Sequence, residues 1–166
     1  RGIFGVHTWI ATKRAGARAY TVHQVLGWRL RQGLTVVESG IDVPDRRWYD
    51  AEPWVVTDLR GAAADAVIDD IEAAVLRYPH AHQYRVWPGP NSNTFVAFVA
   101  REVPALGLAL PGTAIGKDYL PDGEFFDSAP SGRGVQVSLG GLFGVLAAPA
   151  EGLEVNVLGL VFGIEL

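Results

Sequence analysis

The chain of 166 residues contains neither cysteine nor methionine. The missing cysteine excludes disulfides, thiolate metal sites and a cysteine nucleophile, but says little about compartment. The missing methionine sets the expectation that residue 1 follows a segment upstream, where a signal peptide or membrane anchor would lie. Basic charge is also sparse, with 14 Lys and Arg against 18 Asp and Glu and a net charge of −4. Lys13, Arg14 and Arg18 are scattered and form no stripe able to neutralise phosphates, so a nucleic-acid partner is not expected. No apolar run reaches the roughly 18 uninterrupted residues of a transmembrane helix.

What is present is 49% hydrophobic residues, enough for a folded domain with its own core. Ile3 to Lys13 reads as a strand, and a polar turn over Arg14–Arg18 leads to a second strand from Tyr20 to Trp28. With the turn centred near Ala15, His7 and His23 face each other across this hairpin on one sheet face. Leu34–Val37 and Trp54–Leu59 read as strands, with an ordered loop from Gly40 to Pro53. Gly61 then opens a helix whose Val67, Ile68, Ile71, Val75 and Tyr78 share one face. Its acids Asp65, Asp69, Asp70 and Glu72 read as a solvated face that suits the helix dipole, and Pro79 marks the end.

Gln83–Trp87 reads as a short strand running into Trp87-Pro88-Gly89-Pro90-Asn91-Ser92-Asn93-Thr94-Phe95. This rigid turn delivers three polar side chains to the start of a second helix, where unpaired N–H groups favour a cap, a nucleophile or an anion. Leu110–Asp127 reads as a long ordered excursion. Two glycine-interrupted apolar runs, Gly134–Ala147 and Leu153–Glu165, close the chain as paired strands. The segments Gly2–Val6, Gly141–Val145 and Leu160–Ile164 echo one another. The default place for the C-terminal hairpin is the core, with a dimer contact or membrane-facing surface as alternatives. The expected fold is α+β: one domain over residues 1–166, an antiparallel sheet of about six strands with two principal helices.

Several motifs carry no chemistry. Gly112–Asp118 is one residue short of a phosphate-binding loop, with Asp118 where a hydroxyl should hold magnesium, and reads as a turn. His80 and His82 lack further ligands and read as solvated loop residues. Gly140-Gly141 lacks dinucleotide-binding spacing. No metal or cofactor is expected.

The remaining candidates are Ser92, His7 and His23: a serine at a helix start, a base on one strand and an orienting group on the next. Gly5, on the His7 face, would leave room for substrate. Asn91, Asn93, Trp9 and Trp87 are candidate substrate-binding residues, and Trp48 and Trp54 could extend an apolar wall, although core packing is the simpler role for the tryptophans.

Gly5-Val6-His7-Thr8-Trp9, Trp87–Phe95 and Thr113–Tyr119 resemble a bacterial domain-of-unknown-function family over nearly the whole chain. Many members carry a hydrophobic N-terminal segment, which implies an exported or membrane-anchored origin in the cell envelope. A remoter similarity is to the permuted papain-like superfamily of NlpC-type peptidases and lecithin:retinol acyltransferase-like proteins. There a strand histidine comes early, and an Asn-Cys-Asn-Thr-Phe-like segment later opens the nucleophile helix. His7 and Asn91–Phe95 match these, with Ser92 in place of cysteine, and His23 suits the orienting position. The resemblance implies amide or ester hydrolysis or acyl transfer. A serine, far less acidic than a thiol, would need an aligned base and an oxyanion hole built from N–H groups around Ser92 and Asn93. The other outcome is an inactive module that binds a small molecule, peptide, glycan or lipid head group.

Overall fold

The computed structural model describes residues 5–164, with only the backbone of Asp122. The start of the first strand at Ile3, the echo segment at Gly2–Phe4 and the strand end at Glu165 lie outside the described residues. The fold is α+β with two principal helices, but its strands form two antiparallel sheets of three and five strands, not one sheet of about six. Among the described residues, no helix is long and apolar enough to cross a membrane.

The first sheet holds β1 (Ile10–Thr12), β2 (Tyr20–Val25) and β3 (Val37–Asp42) in sequence order. Ile10, not His7, stands opposite His23. The Arg14–Ala17 turn, with Gly16 left-handed at φ 76°, is followed by extra residues before β2, and these displace the register. An odd displacement sends a side chain to the other face. The third strand starts at Val37 and takes in part of the expected Gly40–Pro53 loop. No strand forms over Trp54–Leu59 or Gln83–Trp87.

Helix α1 (Ala62–Leu76) buries Val67, Ile68, Ile71, Ala74 and Val75 at helical spacing, as expected. Its acids do more than meet solvent. Arg14 pairs with Asp69 at 2.6 Å and Glu72 at 2.8 Å, and Asp65 accepts from the Ala15 amide, so α1 clamps the β1–β2 turn. Helix α2 (Ser92–Glu102) is buried on nearly every side, including Phe95, Val96, Val99 and Ala100. The apolar core gathers these with Val25, Val36, Ile71 and Val75, and Tyr78 meets Phe95 edge-on at 5.2 Å between ring centres.

The second sheet is a meander, β4 (Phe126–Ser128), β5 (Val135–Leu139), β6 (Phe143–Ala148), β7 (Gly152–Val157) and β8 (Leu160–Ile164). Each expected C-terminal strand is thus a hairpin. Its polarity is inverted: Gln136, Ser138, Glu154 and Asn156 are buried, while Val135, Val137, Leu153, Val155 and their neighbours are exposed. The outer face has three rows in register: Ser128–Val135–Ala147–Leu153–Ile164, Phe126–Val137–Val145–Val155–Phe162 and Leu139–Phe143–Val157–Leu160. The core placement expected for this hairpin is therefore overturned for its outer face.

A buried polar network holds the inner face. Lys117 pairs with Glu154, while Gln136 and Asn156 donate to the Asp118 carboxylate. Arg101, from α2, donates to Gln136 and to the Ser128 carbonyl at 2.9 Å. Burial pushes the Arg101 guanidinium down and the Glu154 carboxyl up from their ordinary values, and in each case the opposite charges nearby resist the shift.

Candidate functional site

The Trp87–Phe95 turn carries cis peptides before Pro88 and Pro90. Asn91 is the cap of α2: its Oδ1 accepts from the Asn93 and Thr94 amides at 2.9 and 3.2 Å. Thr94 Oγ1 accepts from the Asn91 amide at 3.0 Å, completing a reciprocal capping box. The other end of the Asn91 amide donates to the carbonyls of Val86 and Ile115. Gly116 lies directly over it, and a Cβ there would stand 2.4 Å from Asn91 Nδ2. Asn93 is equally committed, donating to the Val6 and Ile115 carbonyls and accepting from Thr8 Oγ1 at 2.9 Å. Both asparagines are buried and serve as structural ties. Ser92, between them, is buried too, and its hydroxyl makes no hydrogen bond among the described residues.

Thr8 faces α2, since its hydroxyl also reaches the Ser92 carbonyl at 3.4 Å. The residues on either side turn the other way. Trp9 Nε1 donates to the Pro44 carbonyl at 2.9 Å, and the His7 ring stacks on Trp48 at 4.0 Å and 8°. That alternation is what an extended chain imposes. His7 Nε2 is buried without a partner, and burial together with the Arg46 charge lowers the His7 pKa to about 4, so the ring is neutral at pH 7. His23 sits elsewhere, its ring nitrogens 2.8 Å from Ser39 Oγ and 3.3 Å from Thr12 Oγ1. Burial lowers its pKa. Among the described residues no hydrogen bond joins any two of Ser92, His7 and His23. The Asn93 amide expected in an oxyanion hole is taken by Asn91.

Beside His7 lies an open groove of about 270 Å³, lined by Gln24, Trp28, Glu38, Arg46, Trp48 and Tyr49 among others. Trp28 stacks beyond Trp48 at 6.0 Å and 20°, and Arg46 lies over the Trp48 ring at 5.7 Å. The charges are mutually paired: Arg46 with Asp42 at 2.6 Å, Arg29 with Glu38 at 3.1 Å. Of the residues lining this groove, Trp48 alone was expected in an apolar wall; Trp9 lies outside the lining. The signal for the rest was the Arg46-Arg47-Trp48-Tyr49 run, dense in groups that stack. The tryptophans do not fill the core: Trp28, Trp54 and Trp87 are exposed, and Trp87 Nε1 donates to the Leu158 carbonyl at 3.0 Å.

The remaining motifs fall to structure. Gly112–Asp118 is a series of turns, as expected, with Lys117 buried against Glu154 and unable to meet a phosphate. His80, expected to be solvated, is buried against the rings of Tyr78 and Tyr119, while His82 is exposed.

A family model described as "Protein of unknown function (DUF3750)" matches residues 1–119. The chain belongs to the DUF3750 family. The matched region contains the α2 turn, both histidines and the aromatic groove, and the five-stranded sheet follows it. No curated protein and no solved structure matches the chain.

Proposed function

We propose that this DUF3750 domain is a binding module with a permuted papain-like frame, and that its groove takes a neutral, ring-shaped polar ligand such as a segment of a glycan. The frame reading rests on chain order: an early histidine segment, then Asn-Ser-Asn-Thr-Phe opening a buried helix packed on an antiparallel sheet. The observation that carries the binding reading is the stack of His7, Trp48 and Trp28. It holds His7 against Trp48, which together with Trp28 lines the groove and gives it flat apolar faces. Such faces pack against sugar rings, and Gln24, Glu38 and Arg46 at the edges suit hydroxyls. Because the groove's charges are already paired, a strongly charged ligand gains little. The module would work at the cell envelope, which the family resemblance implies. Tryptophan fluorescence titrated with soluble oligosaccharides of several linkages, and with short peptides, tests this. Saturable quenching by a sugar, lost in Trp48→Ala, is the expected result; a response to peptides alone would replace the ligand class.

One observation favours an enzyme that hydrolyses or transfers an amide or ester: among the described residues Ser92 keeps an unbonded hydroxyl at a helix start, beside two asparagines that are fully used. Ser92 would attack, with His7 as base and His23 as its orienter, after the His7 ring leaves Trp48. Labelling with a serine-reactive phosphonate separates the two readings. An adduct on Ser92 that disappears in His7→Ala would establish the enzyme, and its absence leaves the binding module.

A further inference from the structure

Among the described residues, the outer face of the five-stranded sheet has no counterpart. Its three rows contain no charged residue, and Ser128 is their single polar member. Twelve large apolar side chains on it remain 37% to 63% exposed. Together they present on the order of 1,000 Å², where the largest apolar patch of a monomer is typically ~300–600 Å² and a standard interface buries ~800 Å² per partner.

We infer that this face is the contact between two copies of the chain, packed sheet on sheet across a two-fold axis. The area is what a stable dimer needs. The shape is that of a sandwich half: aliphatic, largely β-branched side chains alternate with a satisfied inner layer, and two such twisted sheets stack about 10 Å apart. The face is also its own complement. The middle row, Phe126–Val137–Val145–Val155–Phe162, is bounded by phenylalanine at both edges, and self-packing brings no like charges together despite the net charge of −4. A lipid surface fits less well. Membrane-interface faces carry Trp, Tyr, Lys and Arg around their apolar centre. The rows hold none of these; Arg133 in the β4–β5 connection and Trp87, bonded to the Leu158 carbonyl at the β7–β8 turn, stand at the ends of the sheet, and two residues do not make such a belt.

Sedimentation velocity of the 166-residue chain, from low micromolar to about 100 µM, tests this, alongside Val145→Lys/Val155→Lys and a control, Ile41→Lys, on the exposed part of the other sheet. The expected result is a dimer for the wild type and Ile41→Lys. The double-lysine variant should be a monomer, with dimer affinity weakened at least 100-fold and near-ultraviolet circular dichroism unchanged. A wild type that stays monomeric at 100 µM overturns the inference, whether or not it floats with phosphatidylcholine vesicles. If the double variant unfolds, Val137→Thr/Val155→Thr replaces it. The inference then stands on a weakened dimer and falls on an unaltered one.

Discussion

The two sheets solve opposite packing problems. The three-stranded sheet and the helices bury Val25, Val36, Phe95 and Val99, and a polar group that enters, His23, is met by single hydroxyls from Thr12 and Ser39. The five-stranded sheet buries Gln136, Glu154 and Asn156 and leaves its aliphatic side chains outside. The difference lies in what covers each sheet. Phe95 and Val99 need only to leave water, a non-directional demand worth about 25 cal/mol per Å². Lys117, Asp118 and Arg101 bring charges that a partner face must answer atom by atom.

Breaking the polar half should have the largest effect. Lys117→Met leaves Glu154 buried without its cation and should cost about 3–5 kcal/mol in urea unfolding, while Lys117→Met/Glu154→Leu should recover most of the loss. A single variant within about 1 kcal/mol of wild type would show that water, not Lys117, satisfies Glu154. Phe95→Ala probes the apolar half and should also cost about 3–5 kcal/mol, without rescue by any polar change nearby.

The His7 effect is smaller and depends on pH. Its folded pKa of about 4 lies below the ordinary 6.5, so the unfolded chain binds the proton more readily. Stability is therefore full above pH 6.5 and falls toward pH 4, by up to about 3 kcal/mol. His7→Phe should flatten that slope in thermal melts across the window, and an unaltered slope would assign it to other groups. Arg14→Ala should matter least. Its pairs with Asp69 and Glu72 are exposed and screened by solvent, so the chemical denaturation midpoint should hardly move.

Helix α1 was legible because its buried residues recur at helical spacing, and the start of α2 because Asn, Ser and Thr follow a proline turn. The hairpin register was not, since residues past Gly16 lengthen one arm of the turn. That shift separated His7 from His23 and placed His7 with Trp48, a partner far along the chain. In the second sheet the alternation of Gln136 and Ser138 with valines correctly sorts residues into two faces. It does not tell which face is covered, and the charges that decide this come from Arg101 and Lys117. The roles of Asn91 and Asn93 as ties depend on carbonyls at Val6, Val86 and Ile115, which no local pattern marks.

The contact between Gly116 and Asn91 has a consequence for how such a chain can vary. A methyl at position 116 would occupy the space of the Asn91 amide, and Gly116 also has φ 97°. Displacing that amide would uncap α2 and strand the Val86 carbonyl in one step, leaving Asn93 as the donor to the Ile115 carbonyl. Positions 91 and 116 therefore form a lock: neither is free to drift alone, and a route between two working sequences that alters one must pass through a damaged intermediate or change both together.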